Sequence, residues 1–588
     1  MKELSQEART VLAVVLSMAV IVVWGFFFRP KPLEHPPEPA GAQKTKAPGG
    51  ASTSSATPAG SATTGRQTSG SAAAASAEPA SAPAAPAPPP MAGTKAETLV
   101  VESKLYRVEL SNQGASARNW QLVQYKDDLG KALNLVHPAV SEQSGKWPLM
   151  LAIADAQQQE KANGALYRME PASGTLQAPT EVNFEWSDGH LAVSKRLKFA
   201  QDYIVTLESS VTLDGKPVPH GVAWQGGFGD ITAFNAAGQV KVVYSRGGSL
   251  TDIATKKAGQ SEDGTKPATV TGLSDFAGIM DQYFAAAFLP EGGSGVSLED
   301  WKYDRQITNE GKTETEEVPE VAVGVPDANP MKLRLFVGPK AIAVLDKVHP
   351  PLTDLVTFGT FGIIARPLFD FLLWIHRYVA NYGWAIVLMT LAINTVLFPL
   401  KYRSFHQQIK MQKVMPEIKQ IQDRYKKYSM RDPRKQEMNK EVMAVYSREG
   451  VNPIGSCLPM VIQMPIWFAL YRMLDVAIEL RQAPWLGWIH DLSAKDPYYL
   501  LPILMTITMY YMQKLTPMTT ADPAQQRMMN FMPLFMGFLF FRLASGLVLY
   551  ILTSNIVATT QQWFLYRVMP EARPDTGKKK GASDKKGK

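Results

Sequence analysis

The stretch TLAINTVLFPLKYRSF, which covers Thr390–Phe405, begins as a lipid-soluble helix and ends as a basic one. An asparagine, Asn394, lies in the middle of its apolar part. An amide in hydrocarbon has no water to bond to, and its burial costs free energy unless a partner satisfies it. Asn394 must therefore either pack against another helix or face something wet.

Six apolar blocks are long enough, or nearly long enough, to act as transmembrane helices. They cover residues 11–28, 384–400, 454–474, 499–515, 529–543 and 547–566. The block at 529–543 is short unless its polar flanks are partly included. The first block ends in bulky aromatics and lacks an A-x-A-like cleavage site, so we expect a retained anchor rather than a signal peptide. The sequence thus predicts a polytopic α-helical core of six transmembrane helices.

The region between the first two blocks divides into a tether and a β domain. No Leu, Ile, Val or aromatic residue lies between Glu34 and Thr98, so this segment cannot bury enough apolar surface to offset its ordering entropy. We expect a disordered Ala/Pro/Ser-rich tether at 29–98. Short alternating runs such as Tyr203–Leu213 then follow, with turn signals between many of them. They predict an all-β domain at 99–348, a large antiparallel sandwich.

Lysine and arginine accumulate on one side of the predicted spans. Thirteen of them lie in 401–453 and eight follow Leu565, whereas 475–498 contains only Arg481 and Lys495. Loops rich in these residues stay in the cytoplasm. We therefore expect the 401–453 loop, the 516–528 loop, the N-terminal residues 1–10 and the tail 567–588 to be cytoplasmic. The β domain and the 475–498 loop then lie outside, in the periplasm.

Two further helical features are predicted beside the spans. Residues 352–378 are apolar and aromatic but carry charges, which a helix lying in the membrane interface accommodates better than a span. Within 401–453, apolar residues recur at helical spacing up to Ile421. Asp432 as N-cap and Pro433 as the first helical residue then predict a second helix. The two helices would form an antiparallel hairpin in the cytoplasm.

Motifs of covalent, metal and nucleotide chemistry are absent from the sequence. It contains no GxxxxGK[ST], no GxGxxG that opens a helix, no GxSxG and no HExxH, and its eight histidines form no close pair with ligand spacing. The single cysteine, Cys457, allows no intrachain disulfide and suits a small packing position. We expect no metal, no nucleotide, no other cofactor and no enzyme activity.

Several long runs closely resemble the YidC branch of the YidC/Oxa/Alb membrane protein insertases. The match covers roughly Asp354–Arg567 and is carried by Glu449–Leu474 (EGVNPIGSCLPMVIQMPIWFALYRML), Ile478–Met505, Asp522–Met536 and Ser545–Gln562. The β domain is similar to the family's large periplasmic domain more loosely, through Val108–Leu122 and Phe336–Lys340. The resemblance implies a multi-pass protein of the bacterial inner membrane, with both termini in the cytoplasm.

What the resemblance implies about function is membrane protein insertion without a covalent step. The last five spans would form a hydrophilic groove, open to cytoplasm and lipid but closed to the outside. A nascent membrane protein enters the groove, its polar flank crosses a shortened barrier, and its apolar part moves into lipid. The implied partners are nascent membrane proteins, the Sec translocon, the ribosome and anionic lipids.

The groove candidates are polar residues in otherwise apolar helices: Thr390, Asn394, Lys401, Gln463, Thr506, Gln513, Thr553 and Asn555. One such residue more often forms an interhelical hydrogen bond, but a set spread over several helices favours a wet cavity. Family members usually carry a groove arginine where this chain has Asn394. Lys401, seven residues on, shares that face of the helix and has a stem long enough to snorkel toward the cytoplasmic mouth of the groove.

Basic residues outside the groove suggest further contacts. The tail lysines predicted to contact ribosomal RNA or anionic lipid are Lys578, Lys579, Lys580, Lys585, Lys586 and Lys588. Arg472 and Arg542 lie near the outer ends of their spans, where they are unusual. For these two we expect anchoring at the interface, or pairing with Asp475.

Two other classes of protein remain open at this point. A secondary transporter or channel with an outer binding domain would suit helices broken at the midplane, but no inverted repeat and no intramembrane acid is visible. An envelope carbohydrate enzyme would use the β-sandwich as its catalytic domain, but no acid pair stands out. Deleting most of the β domain separates these alternatives, because an insertase core should still function without it.

Overall fold

The computed structural model describes residues 89–569 apart from residues 128, 231–239, 260–267, 274, 292–294, 310–311, 326–327, 429–431, 452–457 and 516–522. The predicted first span, nearly all of the tether, Cys457 and the tail lysines lie outside the described residues. The predictions made for them therefore stay predictions.

Twenty strands form the β domain within the described residues. In chain order they are β1 Thr98–Glu102, β2 Tyr106–Ser111, β3 Ser116–Lys126, β4 Ala132–Asn134, β5 Leu151–Ile153, β6 Arg168–Glu170, β7 Gly174–Gln177, β8 Thr180–Ser187, β9 Leu191–Phe199, β10 Ile204–Leu213, β11 Lys216–Pro217, β12 His220–Trp224, β13 Lys241–Arg246, β14 Ser249–Ala254, β15 Ala268–Leu273, β16 Phe276–Met280, β17 Phe284–Pro290, β18 Val296–Asn309, β19 Lys312–Gly324 and β20 Met331–Pro339. Burial alternates along β9, with every second side chain in the core. The period-two pattern therefore marks real strands.

The described strands form three sheets. Their orders are β4-β3-β2-β1-β7, then β14-β13-β16-β17-β20-β10-β9-β8-β6 with β11 paired to β10, and β15-β18-β19-β12-β5. Strands β13 and β16 of the ten-stranded sheet pack on β18 and β19 of the third sheet, which makes the sandwich. One pair departs from the predicted antiparallel arrangement: β1 and β7 run parallel, with Leu99 opposite Gly174. The long chain segment between them permits this, since parallel neighbours need a long connection.

Short helices interrupt the strands: α1 Pro138–Ser144, α2 Ala156–Gly164 and α3 Ile342–Leu345. Asp155 caps α2, because its side chain accepts the N–H groups of Gln157 and Gln158, both at 2.9 Å. The core between the sheets is aromatic, with the Trp120 and Trp224 ring centroids 5.8 Å apart.

The C-terminal region is helical. Its helices are α4 Gly362–His376, α5 Tyr382–Val396, α6 Phe398–Arg424, α7 Arg434–Arg448, α8 Leu458–Val476, α9 Leu500–Leu515, α10 Pro523–Phe540 and α11 Ser545–Val568. Helix α4 lies within the predicted interfacial segment and follows two 3₁₀ turns, Thr353–Leu355 and Gly359–Phe361. It buries Phe369 and Leu372 on one face while Ile363 and Trp374 are exposed on another. An exposed apolar face of this kind suits a lipid surface.

The predicted core of six membrane-spanning helices is not confirmed within the described residues. Among the helices of the described residues, none is by itself both long and apolar enough to cross a bilayer. Helices α5 and α6 meet the criteria of length and composition together, with a 55° bend between them. The bend lies next to Pro399, which has no N–H to donate to the carbonyl of Thr395. The predicted span at 384–400 is therefore a helix that ends at Val396 and a second one that begins at Phe398.

The predicted hairpin is formed by α6 and α7. Met411, Val414, Ile418 and Ile421 of α6 are buried in one apolar cluster with Val445 and Val451. Helix α7 begins one residue later than predicted, with Pro433 rather than Asp432 at the N-cap. The Asp432 carboxylate still accepts the Arg434 N–H at 3.0 Å, so it satisfies one of the free donors at the start of the helix.

A loop after α8 joins the helical region to the β domain. Arg481 forms an ion pair with Asp230, and the two side chains are 4% and 2% exposed. The Arg481 guanidinium also lies 5.4 Å from the centroid of the Phe284 ring. Nearby, the Gln282 amide donates to the main-chain oxygen of Asp475 at 2.6 Å. These contacts fix the β domain against the ends of the helices.

Glu479 gives this junction a pH dependence. Burial raises its pKa from 4.5 to about 7. A carboxyl whose pKa is higher in the folded state stabilises the fold fully below pH 4.5, and that contribution is lost as the pH rises through about 7. We expect the melting temperature of the purified protein to fall over this window through Glu479. Glu479→Gln should flatten the fall, whereas the exposed control Glu185→Gln should not; equal slopes in all three proteins would contradict the prediction.

Candidate functional site

Asn394 packs against another helix. Its side chain is 2% exposed. The amide Nδ2 donates to the main-chain oxygen of Thr390 at 2.8 Å and to Ser554 Oγ of α11 at 3.4 Å. The first of the two alternatives for Asn394 therefore holds in part, because its donor is satisfied by its own helix and by a neighbour.

Lys401 supplies the remaining partner of that amide. Its Nζ donates to Asn394 Oδ1 at 2.7 Å, across the bend between α5 and α6. The prediction that the two residues share one side is confirmed by this contact. The lysine is half-buried, and it forms no ion pair with any carboxylate in the described part of the chain. A cation whose partner is a neutral amide thus lies beside Asn394.

The main chain at Asn394 is also held from α11. Gln561 Nε2 donates to the Asn394 carbonyl oxygen at 3.2 Å. Ser554 and Gln561 are seven residues apart, so both project from one face of α11 toward the bend. Three helices therefore converge on a single polar cluster, which we call the bend cluster: Thr390, Asn394, Lys401, Ser554 and Gln561.

Two of the predicted groove threonines bond within their own helices. Thr390 Oγ1 donates to the Ile386 carbonyl at 2.7 Å, and Thr506 Oγ1 donates to the Pro502 carbonyl at 2.8 Å, so each hydroxyl is used within its own helix. Thr506 also marks a close approach of α9 to α10, since a Cβ added at Gly537 would lie 2.2 Å from its Oγ1. The contact explains why glycine occupies position 537.

Three more predicted residues lie on α8, α9 and α11. The Gln463 side chain hydrogen-bonds with the Tyr550 hydroxyl, which links α8 to α11. Gln513 on α9 also has a polar or ring partner. Thr553 is buried, 9% exposed. The structure therefore brings Thr390, Asn394 and Lys401 together, while Gln463 and Thr506 make their contacts elsewhere in the helical region.

Several buried polar atoms of the helical region have no hydrogen-bond partner. Within the described residues, five such atoms on three helices have no hydrogen bond: Asn555 Nδ2, Thr559 Oγ1 and Gln561 Oε1 on α11, Asn530 Oδ1 on α10 and Gln407 Oε1 on α6. Each costs about 1–3 kcal/mol when left unsatisfied in a dry interior. Gln561 belongs to the bend cluster, and its unsatisfied oxygen favours a site that receives water or a polar group of a ligand.

Sequence reasoning found only Asn555 of these five. Thr559 could have been predicted, because it lies four residues after Asn555 and therefore on the same face of α11. Asn530 and Gln407 lie in polar segments beside apolar blocks, and a polar residue in such a segment does not indicate a buried site.

Comparison with known proteins assigns both parts of the chain. The family described as "60Kd inner membrane protein" matches residues 374–572, and the "YidC periplasmic domain" family matches residues 98–371. The matches define an inner membrane protein with a β-sandwich periplasmic domain and a helical C-terminal region. The chain belongs to the YidC/Oxa/Alb membrane protein insertase family, as a YidC type with the large periplasmic domain.

Two curated relatives illustrate the similarity, both named "Membrane protein insertase YidC". The one from Campylobacter jejuni is 44% identical over 240 residues, 41% of this chain and 44% of the relative. The one from Cupriavidus taiwanensis is 39% identical over 325 residues, 55% of each chain. The chain thus spans about half the length of the curated relatives it matches. A solved structure titled as an active YidC insertase with its first transmembrane domain resolved is 18% identical, covering 80% of this chain and 93% of that one, with a TM-score of 0.33.

Proposed function

We propose that this chain inserts nascent membrane proteins into the inner membrane, and that the bend cluster is where their polar segments are received. The observation that carries the proposal is the contact of Lys401 Nζ with Asn394 Oδ1 at 2.7 Å. It puts an ammonium group, which has no carboxylate partner among the described residues, beside the buried amide of Asn394. A polar segment in transit needs such a place, because in hydrocarbon it would lose its hydrogen bonds to water.

The mechanism is solvation rather than covalent chemistry. Polar side chains of α5, α6 and α11 take over part of the hydration of the segment that crosses, which lowers the barrier. Lys401 attracts segments that carry acidic residues, and a partly desolvated site makes that attraction stronger than in bulk water. The apolar part of the substrate then leaves for lipid, with a gain of about 0.3–0.6 kcal/mol per Leu, Ile, Phe or Val near the bilayer centre.

Crosslinking during translation tests this proposal. A photoreactive residue at position 394 or 463 should crosslink to a small nascent membrane protein with one span. The same residue at the exposed position 185 of the β domain is the control and should give little product. Absence of crosslinks from both groove positions, while the protein is folded and in the membrane, would contradict the proposal.

The proposed topology has six spans with both termini in the cytoplasm. Its support is the distribution of Lys and Arg, together with the exposed apolar face of α4, which suits the membrane interface. The hairpin of α6 and α7 and the basic tail then face the cytoplasm, where both can contact a ribosome. The Sec translocon and anionic lipids are the other partners in this proposal.

Cysteine labelling tests the orientation. In a Cys457→Ser background, Glu185→Cys in the β domain should react with a membrane-impermeant maleimide on intact spheroplasts. Glu437→Cys in α7 should react only after permeabilisation. Both positions are exposed on the protein, so reactivity reports the side of the membrane. Labelling of both from one side would overturn the orientation.

A further inference from the structure

A polar cavity of about 750 Å³ lies where the β domain meets the ends of the helices, away from the bend cluster. Its walls come from the β domain, from the end of α8 with the loop that follows, and from the turn between α10 and α11. Its charged lining residues are Lys241, Lys340, Arg472, Arg481, Lys495 and Arg542, with Asp281, Asp475 and Asp491. Two of these cations pair with carboxylates that do not line the cavity, Lys241 with Asp252 and Arg481 with Asp230.

Each of these carboxylates is already engaged. Asp475 accepts from Arg472 at 2.7 Å, as the i,i+3 spacing allowed. Asp281 accepts the main-chain N–H groups of Asp230 and Tyr283 at 3.0 and 2.8 Å. Asp491 accepts from the N–H and the hydroxyl of Ser493, both at 2.7 Å. None of the three forms an ion pair with Lys340 or Arg542.

The cations of the cavity lie close enough to repel one another. Lys340 is buried and donates to the main-chain oxygen of Asp281 at 2.8 Å. The pKa of Lys340 is lowered from 10.5 to about 8, chiefly by burial; the charge of Asp281 opposes the shift, and the charges of Arg472 and Lys241 contribute to it. Within the described residues, Lys340 forms no ion pair with a carboxylate, and a cation in that situation attracts anions.

Arg542 completes the arrangement. It lines the cavity with its side chain exposed, and it has no hydrogen bond or ion pair with the described residues. The sequence marks it as unusual, since it follows an apolar block at the outer end of a predicted span. A guanidinium presents a planar pair of donors that matches two oxygens of a phosphate.

We propose that this cavity binds a phosphate group, supplied by the headgroup of an anionic phospholipid. The volume lies in the range of ordinary ligand sites. Arg542 and Lys340 would bind the phosphate, with Arg472 held beside them by Asp475. Leu474, Leu543 and Leu547 line the same cavity and offer apolar contact to the glycerol end. The choice of a phosphate group as ligand depends only on the residues of the cavity. The choice of a phospholipid as its source depends on the proposed orientation, because that orientation places the cavity at the outer leaflet.

Lipid titration of the full chain in detergent tests the site. The probes are short-chain phosphatidylglycerol, short-chain phosphatidylcholine and inorganic phosphate, and the readout is the concentration dependence of the melting temperature. We expect phosphatidylglycerol to bind roughly tenfold more tightly than phosphatidylcholine. Arg542→Gln should remove this preference and Arg542→Lys should keep part of it. Arg567→Gln, an exposed arginine next to the end of α11, is the matched control and should keep it whole.

Each other outcome is decisive. Equal protection by inorganic phosphate, lost in Arg542→Gln, would support the phosphate site with free phosphate as its source. A preference that survives Arg542→Gln would overturn the site. So would a parent protein that neither phosphatidylglycerol nor inorganic phosphate protects better than phosphatidylcholine does. Protection by a glutamate-rich peptide alone would also overturn it, in favour of a polypeptide partner. Crosslinking from position 394 is independent of these results, so the proposed function and this site can fail separately.

Discussion

Lys401→Ala is expected to reduce insertion of substrates with acidic translocated segments by roughly tenfold, which corresponds to about 1.4 kcal/mol. Insertion of substrates with neutral segments should fall much less, because the missing contribution is Coulomb attraction to the ammonium group. The assay is insertion into proteoliposomes, followed by protease protection of a single-span substrate. A matched pair of substrates that differ only in the charge of the translocated segment separates the two effects.

Controls at neighbouring positions make the result specific. Lys410→Ala removes an exposed charge from the same helix and should not change the insertion of either substrate. Asn394→Leu should cause only partial loss, because it removes one amide and leaves the other polar groups. Asn394→Arg should be tolerated. In the Lys401→Ala background it should restore the insertion of substrates with acidic segments, because it returns a cation to the bend cluster. If Asn394→Arg instead abolishes folding and expression, position 394 is dry helix packing and the wet groove is wrong there.

Arg481→Met should destabilise the protein by about 3–5 kcal/mol, the second large effect that we expect. The substitution leaves the Asp230 carboxylate buried without its cation, and both side chains of the pair are almost fully buried. Equilibrium denaturation in detergent, followed by tryptophan fluorescence, measures the loss. Limited proteolysis should at the same time cut the loop after α8 more readily, because that loop holds the β domain.

Two comparisons isolate the cause of this destabilisation. The Asp230→Leu, Arg481→Met double variant should recover much of the loss, since no buried charge then remains unpaired. The pair Arg448 and Glu417 in the hairpin has the same chemistry but is exposed, at 59% and 43%. Arg448→Met should therefore cost less than about 1 kcal/mol. A similar cost for the two arginines would show that burial is not what gives the junction its strength.

Local patterns in the sequence predicted much of the local structure. The run Tyr203–Leu213 was predicted as a strand and forms β10, Ile204–Leu213, because alternation of apolar residues depends only on near neighbours. The pairing of Arg472 with Asp475 followed from their spacing on one helix. Lys401 and Asn394 also met as predicted, although the helix between them bends, because a lysine stem is long enough to span the change in direction.

Contacts between distant segments were not predictable in this way. Arg481 and Asp230 are 251 residues apart, and nothing in either local sequence indicates the other. The parallel pairing of β1 with β7 depends on which sheet edge is free. The sequence of a single strand does not contain that information. Pro399 is visible in the sequence, but it indicates only that a break is expected, not the 55° angle between the two helices.

The uninterrupted course of α6 gives the protein a mechanical property. At about 1.5 Å per residue, its 27 residues form a lever of about 40 Å whose fulcrum is the bend beside Lys401. A tilt of about 5° at that fulcrum moves the far end by about 3.5 Å, at this rise per residue. We therefore expect a load on the hairpin to change the bend angle beside Lys401, and occupancy of the bend cluster to shift the far end of α6.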